Sequence, residues 1–164
     1  MKYDVISADN HILEPRELFV ERLPKEYRDR APRVMRGADG GDGWSYDGKT
    51  VERTLGIEAT AGRSVKISGY KWEEILPGNY DGAAHLKDMM DAGVDAAVLF
   101  PSVPLMGWFM RDDPFALALF QTFNDWVIED FCAAILSGTP PLLKSNEGLL
   151  SARILDRVAA AATR

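Results

Sequence analysis

The sequence predicts an α/β fold built on a parallel pair of strands, and three stretches carry that expectation. Tyr3 to Ala8 has the β-branched and aromatic composition of a short strand. Residues 80 to 103 read as a helix, a glycine stop and the apolar run Val94 to Phe100, which is half of a βαβ unit. Between them, Gly37 to Gly48 (GADGGDGWSYDG) and the KTVERT that follows have the pattern of a small hairpin turning at Asp47-Gly48.

The first strand runs directly into Asp9, Asn10 and His11. In an extended chain, side chains two apart share a face, so Asp9 and His11 project together. A carboxylate oxygen beside an imidazole nitrogen suits a divalent metal, zinc first, with manganese or iron as alternatives. Glu14 follows three residues later. It either reaches such a metal, orients the histidine, or serves as a carboxylate at the start of the helix that opens with Pro15. Leu18, Phe19, Leu23 and Tyr27 share one face of a short helix interrupted by Pro24, and are packing residues. Residues 28 to 33, RDRAPR, hold three arginines that either pair with a substrate carboxylate or are solvated and internally paired.

From about 35 to 79 the chain makes an excursion. It has neither the glycine spacing of a dinucleotide loop nor, at Asp39, Asp42 and Asp47, the ligand spacing of a calcium loop. Asp81 then predicts a helix N-cap and Gly93 a left-handed helix end. His85, inside that helix, is expected on its surface and not as a metal ligand. Val94 to Phe100 reads as a strand buried on both faces. Pro101 to Pro104 forms a loop at its C-terminal edge, where α/β folds keep their sites. Leu105, Met106, Trp108, Phe109 and Met110 either wall a pocket or cover a rim or subunit interface. Asp112 or Asp113 caps a long helix with Pro114 in its first turn, and Phe115, Leu119, Phe123, Trp126 and Val127 form its core stripe. That helix stops near Ser137-Gly138, Pro140-Pro141 forces an extended link, and Leu149 to Ala162 reads as an amphipathic helix.

At 164 residues and 46% hydrophobic, the chain is long enough to bury a single-domain core. A net charge of −6 without a basic cluster argues against nucleic acid or an anionic membrane as partner. The lone cysteine, Cys132, excludes an internal disulfide and reads as a buried core thiol. No leader-like or membrane-spanning apolar run is present, so the expected location is cytoplasmic.

Taken together, the D-x-H-x-x-E-P run (Asp9, His11, Glu14, Pro15), Leu23-Pro24 and RDRAPRV at Arg28 to Val34 resemble the opening of the amidohydrolase-related family, the branch that includes metal-dependent decarboxylases of aromatic and related acids. YDGAAHLKDMMDAGVDAAVLFPSV from Tyr80 to Val103 and DDPFALALFQTFNDWVIEDFCA from Asp112 to Ala133 are similar to the family's next helix, strand and helix. The resemblance implies the N-terminal part of a TIM-like (β/α)8 barrel over residues 1–134, with the hairpin as an insertion, and a divergent helical tail over 135–164. A full barrel needs roughly 250 residues, so the barrel is expected to be incomplete in this chain. By the same resemblance, the chain is a metal-dependent hydrolase or non-oxidative decarboxylase of a small carboxylate or carbonyl substrate. Asp9 and His11 match the family's first-strand metal pair. The family's later histidine and aspartate ligands have no counterpart here, because both histidines are early. Catalytic incompleteness is therefore expected, and the alternative is a non-catalytic fragment that self-associates.

Overall fold

The computed structural model describes residues 4–49, 53–55, 67–105 and 113–137. They form a mixed α/β arrangement with two small sheets. The first strand, β1 (Ile6–Ile12), is followed by a short helix α1 (Leu18–Arg22) and a 3-10 turn over Lys25–Arg30. Strands β2 (Arg33–Arg36), β3 (Asp42–Ser45) and β4 (Arg53–Thr54) make an antiparallel sheet in that order. Helix α2 (Gly82–Asp91) leads to β5 (Ala96–Pro101), which lies parallel to β1. Helix α3 (Pro114–Trp126) passes through one π-helical turn, Val127–Phe131, into α4 (Cys132–Ser137). The predicted Leu149–Ala162 helix, the Trp108-Phe109 loop and Asp112 lie outside the described residues.

Two carboxylates clamp the parallel pair at its ends. Asp95, just before β5, accepts from the amides of Asp4 and Val5 at 2.8 and 2.9 Å, and these bonds, Val5 first, hold its carboxyl below the usual range. At the other end, Glu14 is fully buried and accepts from the amides of Ser102 and Val103, each at 3.0 Å. Ser102 returns a hydroxyl hydrogen bond to the Ile12 carbonyl.

The expectation that β5 is buried on both faces is not met. Val98 is 47% exposed and Phe100 37%, alongside Ile6 of β1 at 57%. Helix α2 packs near one side of the pair, and among the described residues nothing covers the other. A run as apolar as AAVLF normally has helices over both faces.

Local signals elsewhere match the elements they predict. Asp81 caps α2 by accepting from the Ala84 amide at 2.8 Å, and Gly93 closes it at φ +68°, with its amide bonded back to the Met90 carbonyl. Asp113 is the α3 cap, accepting from Phe115 at 2.9 Å with Pro114 in the first turn. Phe115, Leu119, Phe123 and Trp126 are buried as a stripe, against Leu18, Phe19 and Leu23 of the first helical region. Asp47 and Gly48 both have positive φ, and Lys49 donates to the Tyr46 carbonyl at 3.1 Å, the closure of a tight hairpin turn. Strand β2 is an addition the residue pattern did not signal.

Buried β3 needs Gly41 beside it. A Cβ there would lie 2.5 Å from the Gly69 Cα and 2.8 Å from its N and C, all backbone atoms that cannot swing aside. Gly41→Ala is therefore expected to cost about 1–3 kcal/mol, read as a lower urea midpoint. An unchanged midpoint would show that the Gly69 segment yields freely. No helix among the described residues is long and apolar enough to cross a membrane.

Candidate functional site

Asp9 and His11 meet at the C-terminal end of β1, as their spacing predicts. His11 Nε2 lies 3.3 Å from Asp9 Oδ1, with the two side chains 46% and 80% exposed. On its other side, His11 Nδ1 is 3.2 Å from the Pro101 carbonyl, and the ring sits 5.8 Å from Phe100. A carbonyl only accepts, so Nδ1 carries the hydrogen and Nε2 presents its lone pair toward the carboxylate. Two acceptors face each other across 3.3 Å, an arrangement that a cation between them, a proton or a metal, would bridge. A histidine oriented through one nitrogen by a backbone carbonyl, leaving the other nitrogen open, is the usual setting of a metal ligand.

Glu14 lies elsewhere in the arrangement. Its oxygens are engaged by the Ser102 and Val103 amides in the interior, so it braces the loop after β5 against the end of β1. Among the described residues, no group of three or more His, Cys, Asp or Glu is placed to hold a metal ion. The donor set at this edge is therefore a pair, which fits one side of a coordination sphere.

The placement of His85 on the helix surface is corrected. It is 8% exposed, donates from Nδ1 to the Gly78 carbonyl at 2.7 Å, accepts at Nε2 from Asn10 Nδ2 at 3.1 Å, and stands edge-on to Phe131 at 5.5 Å. The sequence held a signal for this: Gly82, His85 and Met89 are spaced by three and four, which puts His85 on the buried stripe of α2. Both histidines border one cleft of about 250 Å³ between β1 and α2, with Ser7, Asn10, Asp88 and Met89 among its other walls.

The arginines of residues 28 to 33 are engaged internally. Arg28 donates to the carbonyls of Leu23 and Glu21, and Arg33 to that of Arg28. Arg30 links the hairpin turn to the α3 cap through Asp47 and Asp113, and stacks 4.2 Å over Phe115. The two carboxylates, Asp47 first, raise its pKa, and Arg30 in turn holds Asp113 below the ordinary range. None of the three is left as an open anion hook. Cys132 is half-buried, and burial pushes its thiol pKa up, which makes it a packing residue and a poor nucleophile.

A second titratable cluster joins residues too far apart in the chain for a local pattern to signal it. Arg22 of α1 donates to Glu129 at 3.2 Å and to Asp130, both in the π-helical turn, and burial pushes the Asp130 carboxyl up to about 6. Compared with protein-family models and with curated proteins, the chain matches none.

Proposed function

We propose that the chain is the N-terminal part of an amidohydrolase-type barrel enzyme, a metal-dependent hydrolase or non-oxidative decarboxylase acting on a small carboxylate or carbonyl substrate. The observation that carries this reading is the His11–Asp9 pair, in which a carbonyl-oriented imidazole turns its free nitrogen to a carboxylate at 3.3 Å. The pair stands on a parallel strand beside the loop at the C-terminal end of β5, the edge where barrel enzymes collect their ligands. A divalent ion, zinc first and manganese or iron otherwise, would supply Lewis-acid polarisation of a substrate oxygen when bound. His11 and Asp9 would hold it, Pro101 would keep the imidazole tautomer, and Glu14 would keep the two strand ends together without touching the ion. Two protein ligands bind weakly, so the chain by itself is a catalytically incomplete site.

A cobalt(II) titration followed by visible absorption tests this. The expected result is saturable binding that weakens on acidification, because a proton competes for the same nitrogen, and a loss of at least about tenfold in His11→Ala. Equal binding by parent and His11→Ala would overturn the assignment. Micromolar or tighter zinc binding with turnover of an aromatic acid would overturn the incompleteness.

The competing reading is a non-catalytic, self-associating chain. Exposed Ile6, Val98 and Phe100 favour it, since they place apolar side chains on a sheet face that nothing among the described residues covers. Concentration-dependent dimerisation in sedimentation, abolished by Val98→Lys, would support it, and a metal-binding monomer would count against it.

A further inference from the structure

Strand β1 carries one more residue than its partner between two matched positions. Ser7 is opposite Ala97 and Asn10 opposite Leu99, three steps on one strand against two on the other. Such a bulge leaves a residue outside the ladder and re-aims the side chains that follow. Because strand side chains alternate, a one-residue difference in register exchanges the two faces. The bulge therefore decides whether Asp9 and His11, or Asn10 between them, face the open side of the sheet.

Asn10 is the first matched residue after the bulge, and it is tied down. Its Nδ2 donates to His85 Nε2 at 3.1 Å, while His85 Nδ1 donates to the Gly78 carbonyl at 2.7 Å from a position only 8% exposed. The carbonyl fixes the tautomer of His85, and the tautomer fixes Nε2 as the acceptor that Asn10 needs. The strand is thereby pinned to α2 and to the turn before it.

We infer that His85 is a positioning residue for the Asp9–His11 pair: by holding Asn10 toward α2, it keeps the bulge in place and turns both of the pair's side chains outward together. Its consequence for metal affinity rests on the metal reading above, whereas its structural content does not.

The test compares the parent with His85→Leu, His85→Gln and Asn10→Ala, using long-range ¹⁵N–¹H NMR of the imidazoles at mildly alkaline pH and cobalt(II) titration. In the parent, His11 should carry its hydrogen on Nδ1. His85→Leu and Asn10→Ala should each mix the two His11 tautomers and weaken cobalt binding by about tenfold, and His85→Gln, whose carbonyl oxygen still accepts from Asn10, should stay within about threefold of the parent. A merely structural histidine would lower the melting temperature without moving the tautomer of His11, a residue that none of the variants alters. If His11 keeps its Nδ1 hydrogen in both His85→Leu and Asn10→Ala, the inference is wrong. Should His85→Leu fail to fold, Asn10→Ala leaves the buried face of α2 intact and decides alone. If the parent binds no cobalt, the metal reading fails and the tautomer comparison still judges this one.

Discussion

Glu14→Ala is expected to lower the melting temperature by roughly 4–24 °C. Glu14 is wholly buried and accepts two amide hydrogen bonds of 3.0 Å from Ser102 and Val103. Leaving a buried donor without its acceptor costs about 1–3 kcal/mol, and two interior amides lose theirs, so the cost is about 2–6 kcal/mol. For a chain of this size, each kcal/mol moves the melting temperature by roughly 2–4 °C. Glu14→Gln keeps one acceptor oxygen but turns an NH₂ toward the other amide, so it should recover only part of the loss. Thermal denaturation followed by circular dichroism checks both. A Glu14→Ala melt within about 2 °C of the parent would mean that the loop after β5 is held by something other than this carboxylate. Because that loop and Pro101 border the His11 pair, loss of cobalt binding should accompany the loss of stability.

The second large effect is expected at Arg22. Arg22 and Asp130 are both nearly buried, at 9% and 8% of their side-chain surface, and Glu129 accepts from the same guanidinium. Removing one partner of a buried pair leaves uncompensated charge, at a cost of about 3–5 kcal/mol, so Arg22→Met should lose much of its stability near neutral pH. The pH dependence has a definite sign. In the folded chain, the Asp130 carboxyl sits at about 6, raised by burial from 3.8, so the folded state holds its proton more tightly than the unfolded state does. The stability this contributes is full below about pH 4 and is lost as pH rises through about 6. Arg22 opposes the rise, so in Arg22→Met the carboxyl should move higher still and the deficit should shrink at acidic pH. Urea unfolding at about pH 5 and about pH 8 measures this, and adding Asp130→Asn should flatten the difference. A deficit equal at both pH values would show that Asp130 does not carry the buried charge.

What was legible in the residues was local. Asp81 with Gly93, Asp113 with Pro114, the Asp47-Gly48 turn and the Phe115–Leu119–Phe123–Trp126 stripe all act over one to four positions, or mark the two ends of one helix. Capping, positive φ and helical periodicity are properties of neighbouring residues, so a linear reading finds them. The Asp9–His11 pairing belongs to the same class, because alternation along a strand links residues two apart.

The rest was decided by partners far along the chain. His85 and Asn10 are 75 residues apart, Glu14 and Ser102 88, and Arg22 and Asp130 108. No local pattern states that a helix histidine will find a strand amide, or that a glutamate near a helix start will turn inward to two loop amides. By itself, the sequence determined the caps, the turn, the core stripe of α3 and the shared side of Asp9 and His11 at the end of β1, since each depends on short-range stereochemistry. Only the tertiary structure decided that His85 is buried, that Glu14 is a brace and that one face of β5 lies open, because burial is set by which elements come to lie against each other.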